Sequence, residues 1–161
     1  MNTVTLLCSN EKIKVDINII NKSTILKNMI EDIGVDDEIP IPNIQLPILK
    51  KVIEYCEHYI DSEPKEIQKP LVSPNLIECG VDEWDDNFIN FPNIDDLIDL
   101  IVAGNFLDIE GLVNLGCAKI ASYIAGKSVE EIRETFGIVN DFTPEEEAQL
   151  REENKWAESA I

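Results

Sequence analysis

A chain of 161 residues with 44% hydrophobic side chains can bury the core of one folded domain, with or without an extension, which excludes a disordered chain. Its 32 acidic residues outnumber the 13 basic ones and give a formal net charge of −19. That charge repels the phosphates of nucleic acids and the anionic surface of membranes, so we expect neither as a partner. A basic protein surface is the natural complement.

The first part of the chain predicts a small sheet with one helix. Residues 3–8 and 12–16 are interpreted as strands, because apolar and polar side chains alternate along the second. Ser23 is the predicted N-cap of a helix over 24–33. The segment 39–43, IPIPN, is predicted to be at most an edge strand, because its prolines cannot donate ladder hydrogen bonds.

The middle of the chain predicts two helices separated by a linker. Residues 46–60 carry an apolar stripe at helical spacing. Residues 61–81 contain three prolines and have no clear period, so we predict a mobile insert there. A short helix over 82–90 follows, anchored by Trp84 and Phe88 at i, i+4.

Residues 95–126 predict the centre of the fold. The stretch 97–107 is apolar around nearly its whole circumference, which is typical of a buried helix. Residues 108–111 interrupt the pattern, and a second helical pattern covers 112–124. We therefore predict a central helical hairpin against which the other elements pack.

The last segment, 127–161, begins each of its two predicted helices with a capping box: Ser128 with Glu131, and Thr143 with Glu146. Six large apolar residues lie along this segment: Ile132, Phe136, Ile138, Phe142, Leu150 and Trp156. The segment is too short to cover them all. They indicate a groove for a partner, unless the segment folds back on the central hairpin.

The sequence offers no constellation for catalysis or for a metal site. His58 is the only histidine, and it has no companions at ligand spacing, so we interpret it as a surface residue. No phosphate-binding loop or nucleophile elbow is present. The four cysteines form no C-x-x-C pair and no secretory signal precedes them, so we expect the cytoplasm or the nucleus. We expect a protein that is not an enzyme and has no cofactor.

Six short motifs lie along the chain: 25–34 (ILKNMIEDIG), 39–43 (IPIPN), 48–53 (ILKKVI), 105–109 (NFLDI), 129–133 (VEEIR) and 140–156 (NDFTPEEEAQLREENKW). Together they resemble the motifs of the S-phase kinase-associated protein 1 family, the adaptors of SCF-type cullin–RING ubiquitin ligases. The resemblance runs from residue 1 to about 157. It implies an α+β fold, with a BTB/POZ-type small sheet and helical layer over 1–126. It also implies a C-terminal F-box-binding helical extension over 127–161.

The resemblance also implies the function: a non-catalytic adaptor that bridges a cullin scaffold to F-box substrate receptors in ubiquitin-dependent degradation. Asn105 and Phe106 match the asparagine–tyrosine pair that faces the cullin, with the ring kept and the hydroxyl lost. The expected cullin-binding residues are Asn105, Phe106, Ile39, Pro40 and Ile41. The expected F-box-binding residues are Leu112, Leu115, Ile132, Phe136, Ile138, Phe142, Leu150 and Trp156.

Three further interpretations stay open. Some protist members of the family carry a hydroxylated and then glycosylated proline in the tail motif, which makes Pro144 a candidate; its place at the first helical position explains it equally well. A self-association module outside ubiquitin ligases is the alternative function, and the free chain could form a weak homodimer. The charge alone also suggests a binder of histones.

Overall fold

The computed structural model describes residues 3–8 and 10–158, so the ends of the two predicted domains, 1–2 and 159–161, lie outside the described residues. The chain divides into two compact units, Met1–Ala125 and Gly126–Ile161, which we call the first and the second unit. Each is described by itself below.

The first unit begins with a three-stranded sheet in the order β2-β1-β3. Strand β1 (Thr3–Cys8) pairs antiparallel with β2 (Glu11–Asp16) and parallel with β3 (Glu38–Pro40). Strand β3 lies at the edge and is only three residues long, as its prolines predict. The side chains of Val4, Leu6 and Cys8 are buried, because alternate residues of a strand point to the same face.

Helices form the larger layer of this unit. Their bounds are α1 (Ile17–Ile20), α2 (Thr24–Ile33), α3 (Leu46–His58), a 3₁₀ turn (Leu76–Cys79), α4 (Glu83–Phe88), α5 (Ile94–Phe106) and α6 (Glu110–Ile124). The predicted helices and the helical hairpin of α5 and α6 are thus confirmed. Leu49, Leu97, Leu100 and Leu112 are fully buried, so α3, α5 and α6 meet in one core.

Ser23 connects the start of α2 to the end of α5. Its hydroxyl accepts a hydrogen bond from the Leu26 amide at 3.1 Å, which confirms the predicted N-cap. The same hydroxyl donates to the carbonyl of Leu107. Ser23 is fully buried, so both partners lie out of reach of water. A single serine therefore fixes one helix end against another.

Helices α5 and α6 approach closely at Gly116. A Cβ atom at this position would lie 2.3 Å from Cγ1 of Ile101, far inside a normal contact distance. Only a residue without a side chain fits, and the two helices of the hairpin pack backbone against side chain here.

The segment 61–81 is tied to the core by four apolar side chains: Ile67, Leu76, Cys79 and Val81, all buried. The Gln68 amide also donates to the Cys79 carbonyl at 3.0 Å. The mobility of this segment stays a prediction, but it is anchored to the core of the first unit.

Aromatic rings cluster where α3 meets α4. The Trp84 and Phe88 rings stack 4.9 Å apart, as their spacing predicts. His58 is exposed, as expected, and its ring lies flat on Trp84 at 3.6 Å. Tyr55 and Tyr59 are both buried beside these rings, although the apolar stripe alone did not predict them as core residues.

The second unit consists of α7 (Val129–Phe136), α8 (Pro144–Glu153) and the short α9 (Lys155–Glu158). Both predicted capping boxes are formed: Glu131 accepts from the Ser128 amide at 2.8 Å, and Glu146 from the Thr143 amide at 2.9 Å. Among residues 126–156 of this unit, no side chain is buried.

Candidate partner surfaces

An exposed apolar stripe runs along α5. Ile98, Val102 and Phe106 are spaced at i, i+4 and are 40%, 60% and 40% exposed, and Asn105 is exposed beside them. We call these four residues the α5 stripe. The prediction of a helix buried all round is therefore wrong: one face of α5 enters the core, and this face lies at the surface. Apolar residues in such a row are typical of a protein-binding surface.

The end of the α5 stripe is held by a tight helix stop. Asp108 adopts a left-handed conformation at φ 54°, its amide donates to the Asn105 carbonyl at 3.2 Å, and the Ile109 amide donates to the Gly104 carbonyl at 2.9 Å. These two bonds form a Schellman motif. The backbone of the last turn, which carries Asn105 and Phe106, is thereby fixed in place.

The structure corrects two residues of the expected cullin-binding set. Ile39 and Ile41 are 0% and 2% exposed, so neither side chain can reach a partner. The Ile41 amide donates to the Leu7 carbonyl at 2.8 Å, which holds this segment against β1. Pro40 lies between them with its side chain exposed, because alternate residues of a strand face opposite ways.

A similar correction applies to α6. Leu112 and Leu115, expected to contact an F-box, are 0% and 3% exposed and belong to the core of the first unit. They support the helix and cannot be contact residues. The exposed side chains of α6 are Glu110, Cys117, Ala121 and Ile124.

In the second unit, the apolar residues that the sequence singled out are accessible. Ile138, Phe142, Leu150 and Trp156 are 55%, 46%, 38% and 71% exposed, while Ile132 and Phe136 are half-buried. Val129 and Val139, which the sequence analysis missed, are exposed as well; a valine in a charged segment gives no signal of its own. We call these eight residues the tail apolar set.

Charged side chains join α7 to α8. Arg133 pairs with Glu147 at 3.2 Å, and Arg151 pairs with Glu130 and Glu147. The hydrogen bond from Arg133 lowers the pKa of the Glu147 carboxyl. Bonds from the N-cap residues lower the pKa of Glu131 and Glu146 in the same direction. Ion pairs and caps thus hold the second unit where apolar burial does not.

The described part of the chain holds neither a group of metal-binding side chains nor a helix that could span a membrane. No three His, Cys, Asp or Glu side chains within residues 3–8 and 10–158 are grouped closely enough to hold a metal ion. Among the same residues, none of the helices combines the length and the hydropathy required to cross a bilayer. The surface features are those of a binding protein.

These features define a class: a small sheet under a helical layer, followed by a helical extension that carries exposed apolar side chains. Two family profiles match the chain, the Skp1 family tetramerisation domain over residues 2–61 and the Skp1 family dimerisation domain over residues 110–157. The chain belongs to the Skp1 family, and its fold is of the BTB/POZ type with C-terminal helices, as the resemblance implied.

Individual relatives match almost from end to end. A protein of Tetrahymena thermophila named S-phase kinase-associated protein 1 homolog is 54% identical over 94% of this chain and 90% of its own length. Two fungal proteins named E3 ubiquitin ligase complex SCF subunit sconC, from Neosartorya fischeri and Arthroderma benhamiae, are 46% and 44% identical. Each match covers 98% of this chain, and 99% and 96% of the respective relative.

Proposed function

We propose that this chain is a non-catalytic adaptor subunit of an SCF-type ubiquitin ligase, which bridges a cullin scaffold to F-box substrate receptors. The relatives named as SCF subunits and the family profiles support this function. The observation that carries it is the presence of two exposed apolar surfaces on different elements, the α5 stripe and the tail apolar set. An adaptor needs two such surfaces, because it has to hold two partners at once.

The α5 stripe is the proposed cullin-binding surface. Asn105 and Phe106 occupy the positions of the family's asparagine–tyrosine pair, and both are exposed at the end of a fixed helix. Ile98 and Val102 extend the apolar area by two turns of α5. Pro40 stays in the proposed set because its side chain is exposed. Phe106 is 40% exposed, so burial of the rest of its ring against a partner would contribute about 1 kcal/mol.

The tail apolar set is the proposed F-box-binding surface. Its most exposed aromatic residue is Trp156, and aromatic side chains dominate binding energies at protein interfaces. The adaptor would act by positioning alone. A substrate receptor and the catalytic subunits held on one scaffold meet at an effective concentration in about the millimolar range.

Reciprocal loss of binding tests the proposal. Changing Asn105 and Phe106 together to lysine should abolish binding of the cullin N-terminal region and leave F-box binding unchanged. Trp156→Ala should weaken F-box binding about tenfold or more and spare the cullin. Val72→Lys, at a 61% exposed position outside both surfaces, is the matched control. Cullin binding at wild-type affinity in the double variant would show that this surface is misassigned.

A weak homodimer of the free chain is a further part of the proposal, because exposed apolar residues invite self-association when no partner covers them. Sedimentation at rising concentration should then show a monomer–dimer equilibrium that an F-box peptide abolishes. A dimer that persists with saturating peptide would favour the self-association module instead. We further propose the cytoplasm and nucleus as its location, because the four cysteines form no C-x-x-C pair and no secretory signal was recognised. On the grounds of the −19 charge, we propose no binding of nucleic acids or membranes.

Pro144 is the proposed modification site that comes with the family resemblance. It stands exposed at the first position of α8, where a proline suits the helix start. Intact mass of the protein from its native source, grown with ample oxygen, tests the idea. If residues 143–151 carry no added mass, Pro144 is unmodified, and its only role is to start α8.

A further inference from the structure

A cavity of about 430 Å³ lies within the first unit, between α3, α4, the start of α6 and the segment 61–69. Tyr55 and Asp85 line it, and both are more than nine-tenths buried. None of the lining residues belongs to the α5 stripe or to the tail apolar set. The cavity is thus distinct from both proposed partner surfaces.

Two polar atoms of the lining lack a protein partner. The Tyr59 hydroxyl donates to Asp85 Oδ2 at 2.6 Å. Asp85 Oδ1 and the Tyr55 hydroxyl, however, form no hydrogen bond with any residue in 3–8 and 10–158. Buried polar atoms are nearly always bonded, so these two atoms mark a place where a hydrogen-bond donor fits.

The charges around the cavity favour a cation. Its lining carries five carboxylates: Glu63, Glu66, Asp85, Asp108 and Glu110. It carries three lysines, and these already donate to other groups in the pairs Lys22–Glu63, Lys65–Asp82 and Lys69–Asn114. No lysine of the lining forms an ion pair with Asp85 among the described residues, and the one basic side chain that favours its charged form is His58, which does not line the cavity.

Gly111 leaves room for the Tyr55 hydroxyl. A Cβ atom at residue 111 would lie 2.7 Å from that oxygen and 2.7 Å from Cγ of Pro64. An alanine there would be too close to both atoms and would have to displace both, which changes the cavity without altering Asp85 itself.

We propose that this cavity binds a small organic cation through a primary ammonium group, which donates hydrogen bonds to Asp85 Oδ1 and to the Tyr55 oxygen. An ammonium has three donors and one positive charge, so it matches both the orphan atoms and the excess of carboxylates. Its alkyl stem would lie against the apolar lining residues Ile67, Val81 and Leu115. Burial raises the pKa of the Asp85 carboxyl, and a bound cation opposes that rise.

Titration of the full-length ¹⁵N-labelled chain with n-butylammonium tests the proposal, and n-butanol is the neutral probe of matched size. The amides of Asp85 and of residues 109–111 should shift and saturate with the cation. Asp85→Asn should weaken binding about tenfold or more, because it removes the charge and keeps a hydrogen-bond acceptor. Asp86→Asn changes the neighbouring carboxylate, which does not line the cavity, and should bind like the wild type.

Equal saturation by n-butanol would overturn the proposal, because the site would then take any neutral donor, water included. Unchanged affinity of Asp85→Asn, or shifts that never saturate, would overturn it too. Should Asp85→Asn fail to fold, Gly111→Ala and Tyr55→Phe replace it. Both should weaken n-butylammonium binding severalfold, and wild-type affinity in both would contradict the site.

Discussion

The two units of this protein are stabilised by different means. The first unit buries large side chains completely, Leu100 and Leu112 among them, whereas no side chain of residues 126–156 in the second unit is buried. Two capping boxes and ion pairs of Arg133 and Arg151 hold the second unit instead. Exposed surface ion pairs contribute little stability, typically below about 1 kcal/mol each. The first unit is therefore stabilised by apolar burial, and the second unit has far less of it.

Because of this difference, exposed apolar residues have different structural consequences in the two units. In the first unit the α5 stripe lies on a helix whose other face is packed, so the stripe is a rigid, preformed surface. In the second unit the tail apolar set makes up most of the apolar material present, so its exposure leaves the helices themselves marginal. Under the proposed function, we expect a partner to bind the first surface without changing it and to add order at the second.

The largest expected effect comes from a matched pair of leucines. Leu100→Ala removes a fully buried side chain and should lower the free energy of unfolding of the first unit by about 2–5 kcal/mol. Leu150→Ala removes one that is 38% exposed and should change it by no more than about 0.5 kcal/mol. Urea denaturation of both variants measures the two values. Similar losses would show that the second unit contributes to the same core.

A pair of N-cap serines, Ser23 and Ser128, tests the same difference between the two units, with a smaller expected loss of stability. Ser23→Ala removes a cap and also leaves the buried Leu107 carbonyl without its donor, so we expect a loss of about 2–3 kcal/mol. Ser128→Ala removes an exposed cap and should leave the melting temperature of the first unit unchanged. Thermal unfolding followed by circular dichroism separates them. A lower melting temperature of the first unit in Ser128→Ala would contradict the claim that the two units are stabilised by different means.

Acid should affect the second unit through its caps. Hydrogen bonds from Ser128 and Thr143 lower the pKa of Glu131 and Glu146 in the folded helices. A lowered pKa stabilises the helix above the ordinary glutamate pKa of about 4.3, and this contribution is lost as the pH falls through the folded value. The ¹³Cα shifts of α7 and α8 should therefore move toward coil values below about pH 4, before those of α5.

The control for the acid experiment is the double variant Glu131→Gln with Glu146→Gln. Glutamine keeps the capping box and cannot titrate, so the acid-induced loss of helix should shrink. A loss of the same size in the double variant would assign the acid effect to other carboxylates.

The sequence predicted what depends on neighbours along the chain. The caps at Ser23, Ser128 and Thr143 follow from residues within one helical turn, and all three are confirmed. The family motifs predicted the fold class, which the family profiles confirm.

The sequence could not predict which side chains are covered by distant elements. Ile39 and Ile41 alternate with prolines, as residues of an exposed edge strand do. Both side chains are nevertheless buried, because they point to the core side of the sheet, as Leu6 of the neighbouring β1 does. Val102 is as apolar as a core residue, yet it is 60% exposed, because it lies on the face of α5 that the core does not cover. Buried residues of the segment 61–81, such as Leu76, have no period and gave no signal.

The smallest expected effect on stability belongs to Trp156→Ala, although its effect on binding is large. The side chain is 71% exposed, so the melting temperature of the first unit should scarcely move, while F-box binding weakens about tenfold or more. Val139→Ala, at an 82% exposed position of the same set, is the aliphatic control, and F-box binding should weaken less in it than in Trp156→Ala. If the melting temperature fell by several degrees, Trp156 would contribute to the stability of the first unit, and the prediction would be wrong.

Amide hydrogen exchange of residues 144–157 tests the central claim most directly. A ten-residue helix without buried apolar contacts is marginal in water, even with a capping box and ion pairs. In the free chain, these amides should exchange fast while those of α5 stay protected, and an F-box motif should slow them strongly. Strong protection of 144–157 in the free monomer would show that the second unit is complete without a partner.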